Sequence, residues 1–84
     1  MIVTLKNHTM TARIDSIGAQ LISLKSKSGT EYIWQRDPAH WKSSSPLLFP
    51  TVGNCRDGKY TLNGQIYSIP KHGFCRNADF AVSV

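Results

Sequence analysis

Apolar and polar residues alternate with period two along most of this 84-residue chain, a pattern that predicts strands rather than helices. "IVTLKN" and "TMTARID" alternate on either side of Asn7-His8 and read as a first hairpin. "GAQLISLKSK" and "TEYIW", parted by Ser28-Gly29, read as a second, and Ser16 to Gly18 joins the two. The third hairpin, residues 58–69, is the best marked. Its centre is Asn63-Gly64, the dipeptide favoured by a type I′ turn because both positions need a positive φ. Beyond a loop ending at Arg76, "ADFAVSV" opens another alternating strand.

Two segments interrupt the alternation. In "RDPAHWK", Asp37 suits a helix N-cap and Pro38 the first helical position, so one short helical turn is expected. "SSSPLLFPTVG" is bounded by Pro46 and Pro50, which favours an irregular extended segment or an edge strand over a central one. There are no repeats, no low-complexity tracts and no long helix. The class is therefore all-β. The alternation still running at Val84 leaves strand edges open, and natural sheets normally pair, cover or charge such edges. Residues 1–84 are accordingly expected to be the N-terminal portion of one larger β-domain.

Composition narrows the function classes. The 40% hydrophobic and 18% charged fractions belong to an ordinary globular sequence. No apolar run approaches the ~20 residues that cross a bilayer. The opening "MIVTLKNHTM" lacks the basic-then-apolar order of a secretion signal, so a cytoplasmic protein without a membrane partner is expected. Ten Lys and Arg against five Asp and Glu give a net charge of +5, but the basic residues are dispersed. A single-strand nucleic-acid surface needs aromatics alternating with Lys or Arg on one strand face. "KYTLNGQIY" offers only Lys59, Tyr60 and Tyr67, and no nucleic-acid partner is expected. Cys55 and Cys75 read as thiols of a reducing compartment, and without close Cys/His pairs no metal is expected.

Candidate chemistry gathers just after the third hairpin, where Pro70 is followed by Lys71, His72, Gly73 and Arg76. An imidazole can donate or accept a hydrogen bond and titrates near neutrality. Gly73 permits a positive φ or a close backbone approach. The guanidinium of Arg76 can hold two oxygens at once. On these residues alone, His72 reads first as a surface-loop histidine, or as one satisfied by a backbone carbonyl. Arg76 reads as a solvated arginine, or one in an ion pair with Asp79, as readily as one that faces a ligand.

A longer pattern changes that balance. "SPLLFPTVGNCRDGKYTLNGQIYSIPKHGFCRN" holds, in order, P-x-L-F-P, G-x-x-x-D-G-x-Y, an N-G hairpin and H-G-F-x-R. Together with the upstream "GAQLISLKSKSGTEYIWQRDPAHWKSSSPLLFP", it resembles the N-terminal part of the aldose 1-epimerase family, also called galactose mutarotase-like, over nearly the whole chain. The resemblance implies an antiparallel β-sandwich, the galactose mutarotase-like supersandwich, of which only the N-terminal hairpins lie here. It also implies an isomerase of carbohydrate metabolism that interconverts the α and β anomers of a hexose or hexose phosphate. Such an enzyme works by general acid/base ring opening, with no cofactor and no metal. The family's base and acid come from later in the chain, so these 84 residues alone are expected to be inactive.

The resemblance assigns His72 to the family's first active-site histidine, a catalytic group that hydrogen-bonds the sugar near its ring oxygen. It turns Arg76 toward the substrate, a small-molecule sugar or sugar phosphate. One position departs from the pattern. Many relatives carry an arginine after V-G, where this chain has Asn54. Asn54 is expected to bind a hydroxyl through its amide, without charge. Arg56 is expected to supply the missing cation, because alternate residues of an extended segment point the same way; it also reads as a turn residue paired with Asp57. The departure favours a second reading, a non-catalytic carbohydrate-binding or sugar-sensing β-sandwich. Of Trp34, Trp41, Phe49, Tyr60, Tyr67 and Phe74, most are expected in the core. Phe74, beside His72, is the one placed to stack on a sugar.

Overall fold

The first and third hairpin signals are realised in the computed structural model, which describes residues 1–83. Strands β1 (Ile2–Lys6), β2 (Met10–Asp15) and β3 (Gln20–Ser26) form an antiparallel meander in the order β1-β2-β3. Strands β4 (Lys59–Leu62) and β5 (Gln65–Ser68) form a separate two-stranded ribbon. The fold is all-β and antiparallel, as the alternation predicts, with two short 3₁₀ turns at Arg56–Gly58 and Cys75–Asn77.

Each hairpin is closed by the chemistry of its turn. In the first, the Asn7 side-chain oxygen accepts from the amides of Thr9 (2.9 Å) and Met10 (2.8 Å), an Asx arrangement that reverses the chain. In the third, Asn63 and Gly64 take φ values of 51° and 78°, the two positive angles a type I′ turn demands. The expected helical turn also forms. The amide of Ala39 donates to the Asp37 carboxylate (2.9 Å), and those of His40 and Trp41 donate to the Asp37 carbonyl (both 3.0 Å).

Two expected strands are not formed, and the second hairpin is reduced to its first arm. "TEYIW" touches β3 through a single bridge, Lys25 to Glu31. The cause is the Glu31 carboxylate, which takes the amides of Leu24 (2.8 Å), Tyr32 (3.0 Å) and Ile33 (3.2 Å) and the hydroxyl of Ser23. A side chain that satisfies strand amides competes with the ladder itself. "ADFAVSV" likewise makes only the bridge Ile17 to Asp79, and its last residue lies outside the described ones.

Burial is sparse. Ile22 and Ile69 are the hydrophobic residues buried among those described, and no large side chain is fully enclosed. Ile22 owes its place to a bulge: β2 pairs Arg13 with Ser23 but Ile14 with Leu21, so Ile22 is the extra residue. The apolar face of the meander, with Val3, Leu5, Ala12 and Ile14 in cross-strand pairs, remains open, Leu5 being 57% exposed. The radius of gyration is 16.3 Å, against about 12 Å for a closed domain of this length. The two sheets therefore do not enclose a common core. The expectation that most of the six large aromatics are buried fails for the same reason: all six are exposed.

Candidate functional site

The segment carrying His72 is fixed by backbone contacts to the proline-bounded stretch. The Phe49 carbonyl, which precedes a cis peptide to Pro50, accepts from the amides of Phe74 (3.0 Å) and Cys75 (3.2 Å). The His72 amide donates to Gly53 (3.0 Å), and Phe49 and Gly73 form a parallel bridge. This approach explains glycine at 73. A Cβ there, at φ 75°, would lie 2.1 Å from the Phe49 oxygen, so both reasons anticipated for this glycine apply at once.

His72 itself has φ 68°, a conformation that only a supporting frame makes tenable for a non-glycine residue. Its Nδ1 hydrogen-bonds the Val52 carbonyl. A carbonyl oxygen accepts and never donates, so Nδ1 carries the proton and Nε2 is the nitrogen left for another molecule.

Arg76 reaches the same place from the second 3₁₀ turn, which is braced by the linker between β2 and β3. Gly18 (φ 77°) donates its amide to Ala78 (2.8 Å) and takes the amide of Leu47 on its carbonyl (2.8 Å). The approach is tight enough that a Cβ on Gly18 would meet the Arg76 carbonyl oxygen at 2.7 Å. Ser16, buried, donates its hydroxyl to Asp79 (2.6 Å) and receives the Met1 ammonium on it (2.9 Å). Asp79 is thereby engaged away from Arg76. Among the described residues the salt bridge formed is Arg36 to Asp15 (2.9 Å), so neither Arg76–Asp79 nor Arg56–Asp57 pairs. The Arg76 Nε is buried without a hydrogen-bond partner.

His72 and Arg76 share the lining of a cavity of about 310 Å³ with Trp41 and Ser43–Ser45, over an apolar base of Pro46 and Leu48. That volume lies at the lower end of the roughly 300–1,000 Å³ range of small-molecule sites. Asn54 and Arg56 are exposed and lie outside this lining, Arg56 at the start of the first 3₁₀ turn. Phe74, 57% exposed, is also outside it. Trp41 and the serine run are the parts of the site that residue-by-residue reading missed. Their signal was a tryptophan followed by hydroxyls, with no apolar neighbour to bury it until Pro46.

The cavity mixes an imidazole, a guanidinium, hydroxyls and an aromatic ring, a set suited to a polyhydroxylated ring compound with polar edges and C–H faces. Among the described residues no three His, Cys, Asp or Glu side chains gather closely enough to hold a metal ion. Cys55 and Cys75 are free and half-buried. Among the described residues no helix is long and apolar enough to cross a membrane.

Comparison with known proteins gives the chemistry its setting. The aldose 1-epimerase family profile matches residues 1–83, and the chain belongs to that family. The plasmid-borne LacX protein of Lactococcus lactis subsp. lactis is 37% identical over 87 aligned positions, as is its chromosomal counterpart. The alignment covers 98% of this chain and 29% of theirs. A galactose mutarotase-like protein from Lactobacillus casei superposes with a TM-score of 0.92 at 37% identity, over 99% of this chain and 29% of that one. A galactose mutarotase related enzyme from Lactobacillus acidophilus gives 0.93 at 39% identity, over 100% and 28%. The chain thus spans less than a third of the length of these relatives.

Proposed function

We propose that the protein carrying this chain is an aldose 1-epimerase that interconverts the anomers of a hexose or hexose phosphate. In that reading residues 1–84 supply the opening hairpins of one β-sandwich domain. The observation that carries it is the convergence of His72 and Arg76 on one cavity in a chain of this family. Anomer exchange requires a proton to leave the C1 hydroxyl while the ring oxygen gains one. The C1–O5 bond then breaks, the aldehyde turns about C1–C2, and O5 attacks its other face. One group acts as base and another as acid, and both come from sequence beyond Val84. His72 contributes orientation: with Nδ1 committed to Val52, Nε2 is the nitrogen left to hydrogen-bond the sugar near its ring oxygen. Arg76 grips an oxygen pair or a phosphate. Asn54 and Arg56, on the neighbouring loop, complete the sugar contacts from outside the cavity.

Asn54 in place of the family's arginine is the observation favouring a non-catalytic sugar-binding role. Polarimetry on freshly dissolved glucose, galactose and their phosphates separates the two, using the protein as its gene encodes it. Faster anomer equilibration than in buffer supports the epimerase. Saturable sugar binding at the spontaneous rate leaves the binding role.

A further inference from the structure

We infer that Trp41 is the sugar-stacking residue of this cavity, its indole taking the C–H face of a pyranose while the hydroxyl edge meets His72 and Arg76; this rests on the proposed sugar site. Three observations lead there. Trp41 lines the cavity with those two residues. The residue is 53% exposed. Its backbone is nonetheless held on both sides: its amide donates to Asp37 (3.0 Å), and its carbonyl accepts from the Trp34 indole (2.7 Å).

The loop that follows is fixed just as firmly. Ser44 donates its amide to the side-chain oxygen of buried Gln20 (2.9 Å), and Ser45 donates its hydroxyl to the Leu21 carbonyl (3.2 Å). A large ring left in solvent on a braced backbone loses little conformational freedom when it binds, which is the economy of a recognition residue. Aromatic faces are weakly negative and pack on positively polarised C–H groups. A pyranose offers such a face, and its hydroxyls suit the polar groups beside the ring. Phe74, the ring the sequence favoured for this task, lies outside the cavity.

The test measures hexose and hexose 6-phosphate binding by NMR titration of the protein as its gene encodes it, with Trp41→Ala, Trp41→Leu, Trp41→Phe and His72→Ala. The Trp34 indole N–H signal reports whether the loop keeps its shape. The expected result is about tenfold weaker binding in Trp41→Ala, or about 1.4 kcal/mol. Trp41→Leu, with apolar bulk and no aromatic face, stays weak, and Trp41→Phe recovers most of the loss. Unchanged binding in Trp41→Ala overturns the inference, as does equal recovery by Leu and Phe with the Trp34 signal in place. Failure of the sugar site is distinct. It appears as no sugar binding by the parent protein, which takes the inference with it, or as binding indifferent to His72→Ala but sensitive to Trp41, which leaves stacking standing alone.

Discussion

The Nδ1 of His72 hydrogen-bonds the carbonyl of Val52, twenty residues earlier in the chain. The contact joins the loop after β5 to the proline-bounded segment and decides which imidazole nitrogen faces outward. His72→Asn separates the two consequences. Asparagine keeps a nitrogen donor near the Nδ1 position and tolerates a positive φ better than most residues, but it has nothing at Nε2. Stability is expected within about 1 kcal/mol of the parent, while anomer exchange falls on the order of 100-fold. Paired denaturation and polarimetry check this. Full activity in the Asn variant would assign His72 a purely structural role.

Arg76 and Arg56 are both single arginines close to the His72 loop, and their settings differ. Arg76 lines the cavity with a buried, unpartnered Nε; Arg56 is exposed outside it. Hydrogen bonds to charged groups are worth about 1.5–3 kcal/mol. Arg76→Ala is therefore expected to raise the KM for a hexose phosphate by at least about tenfold, and Arg56→Ala by less than about threefold, where screening weakens an exposed charge. Arg76→Lys restores the charge but not the paired geometry, and recovers only part of the loss. A larger effect at Arg56 than at Arg76 would move the substrate to the other loop.

The hairpins were legible because their turns are written in adjacent residues: Asn7 with its side-chain acceptor, Asn63-Gly64 with its two positive angles. Gly73 was legible too, through the contrast between a β-pattern and a glycine following Pro70. What local reading could not supply were relations across the chain. Glu31 reads as one polar position of an alternating strand, and only its reach to Leu24 and Ser23 shows why the ladder stops there. Trp41 reads as core because large rings usually are. It is exposed like the other five large rings, because the sheets enclose no core, while Gln20 and Leu21 hold the serine run beside it from β3. Asn54 and Arg56 are legible only through their position in a motif, which fixes neighbours along the chain, and their exposed loop lies outside the lining that His72 and Arg76 share.

Two glycines with nearly the same φ test how much the Phe49–Gly73 approach matters. Gly73 (φ 75°) has the Phe49 oxygen where a Cβ would stand, whereas Gly64 (φ 78°) has nothing within 4 Å. Gly64→Ala is expected to cost about 1 kcal/mol, the intrinsic penalty of an alanine in the left-handed region. Gly73→Ala adds a backbone collision that only a shift of the 70–75 loop can relieve, for a total on the order of 3 kcal/mol. The same shift carries His72 away from Val52, so sugar binding falls along with stability. Chemical denaturation of the two variants side by side checks the difference. Equal costs would mean that the loop moves freely.

Acid should loosen the β3 edge before the rest of the meander. Hydrogen bonds from Ser23, and from the amides of Leu24, Ile33 and Tyr32, hold the Glu31 carboxyl down from its ordinary value of 4.5 to about 2. Asp15 is lowered in the same direction, chiefly by its hydrogen bond from Arg36. Both groups have folded values below their unfolded ones. Their contribution is complete above the ordinary carboxylate range, because both states are then ionised. As pH falls through 4.5 the unfolded chain takes up protons first, so stability declines and continues to decline until Glu31 itself protonates near pH 2. Glu31→Gln removes the charged acceptor in both states. It is expected to be less stable than the parent at pH 7 and to lose stability less steeply between pH 4.5 and pH 2. Urea midpoints measured across that window read the two slopes directly. Parallel slopes would show that the carboxylate does not hold the edge, and that segment 31–33 stays on β3 through the Tyr32 amide to Leu24 carbonyl bond alone.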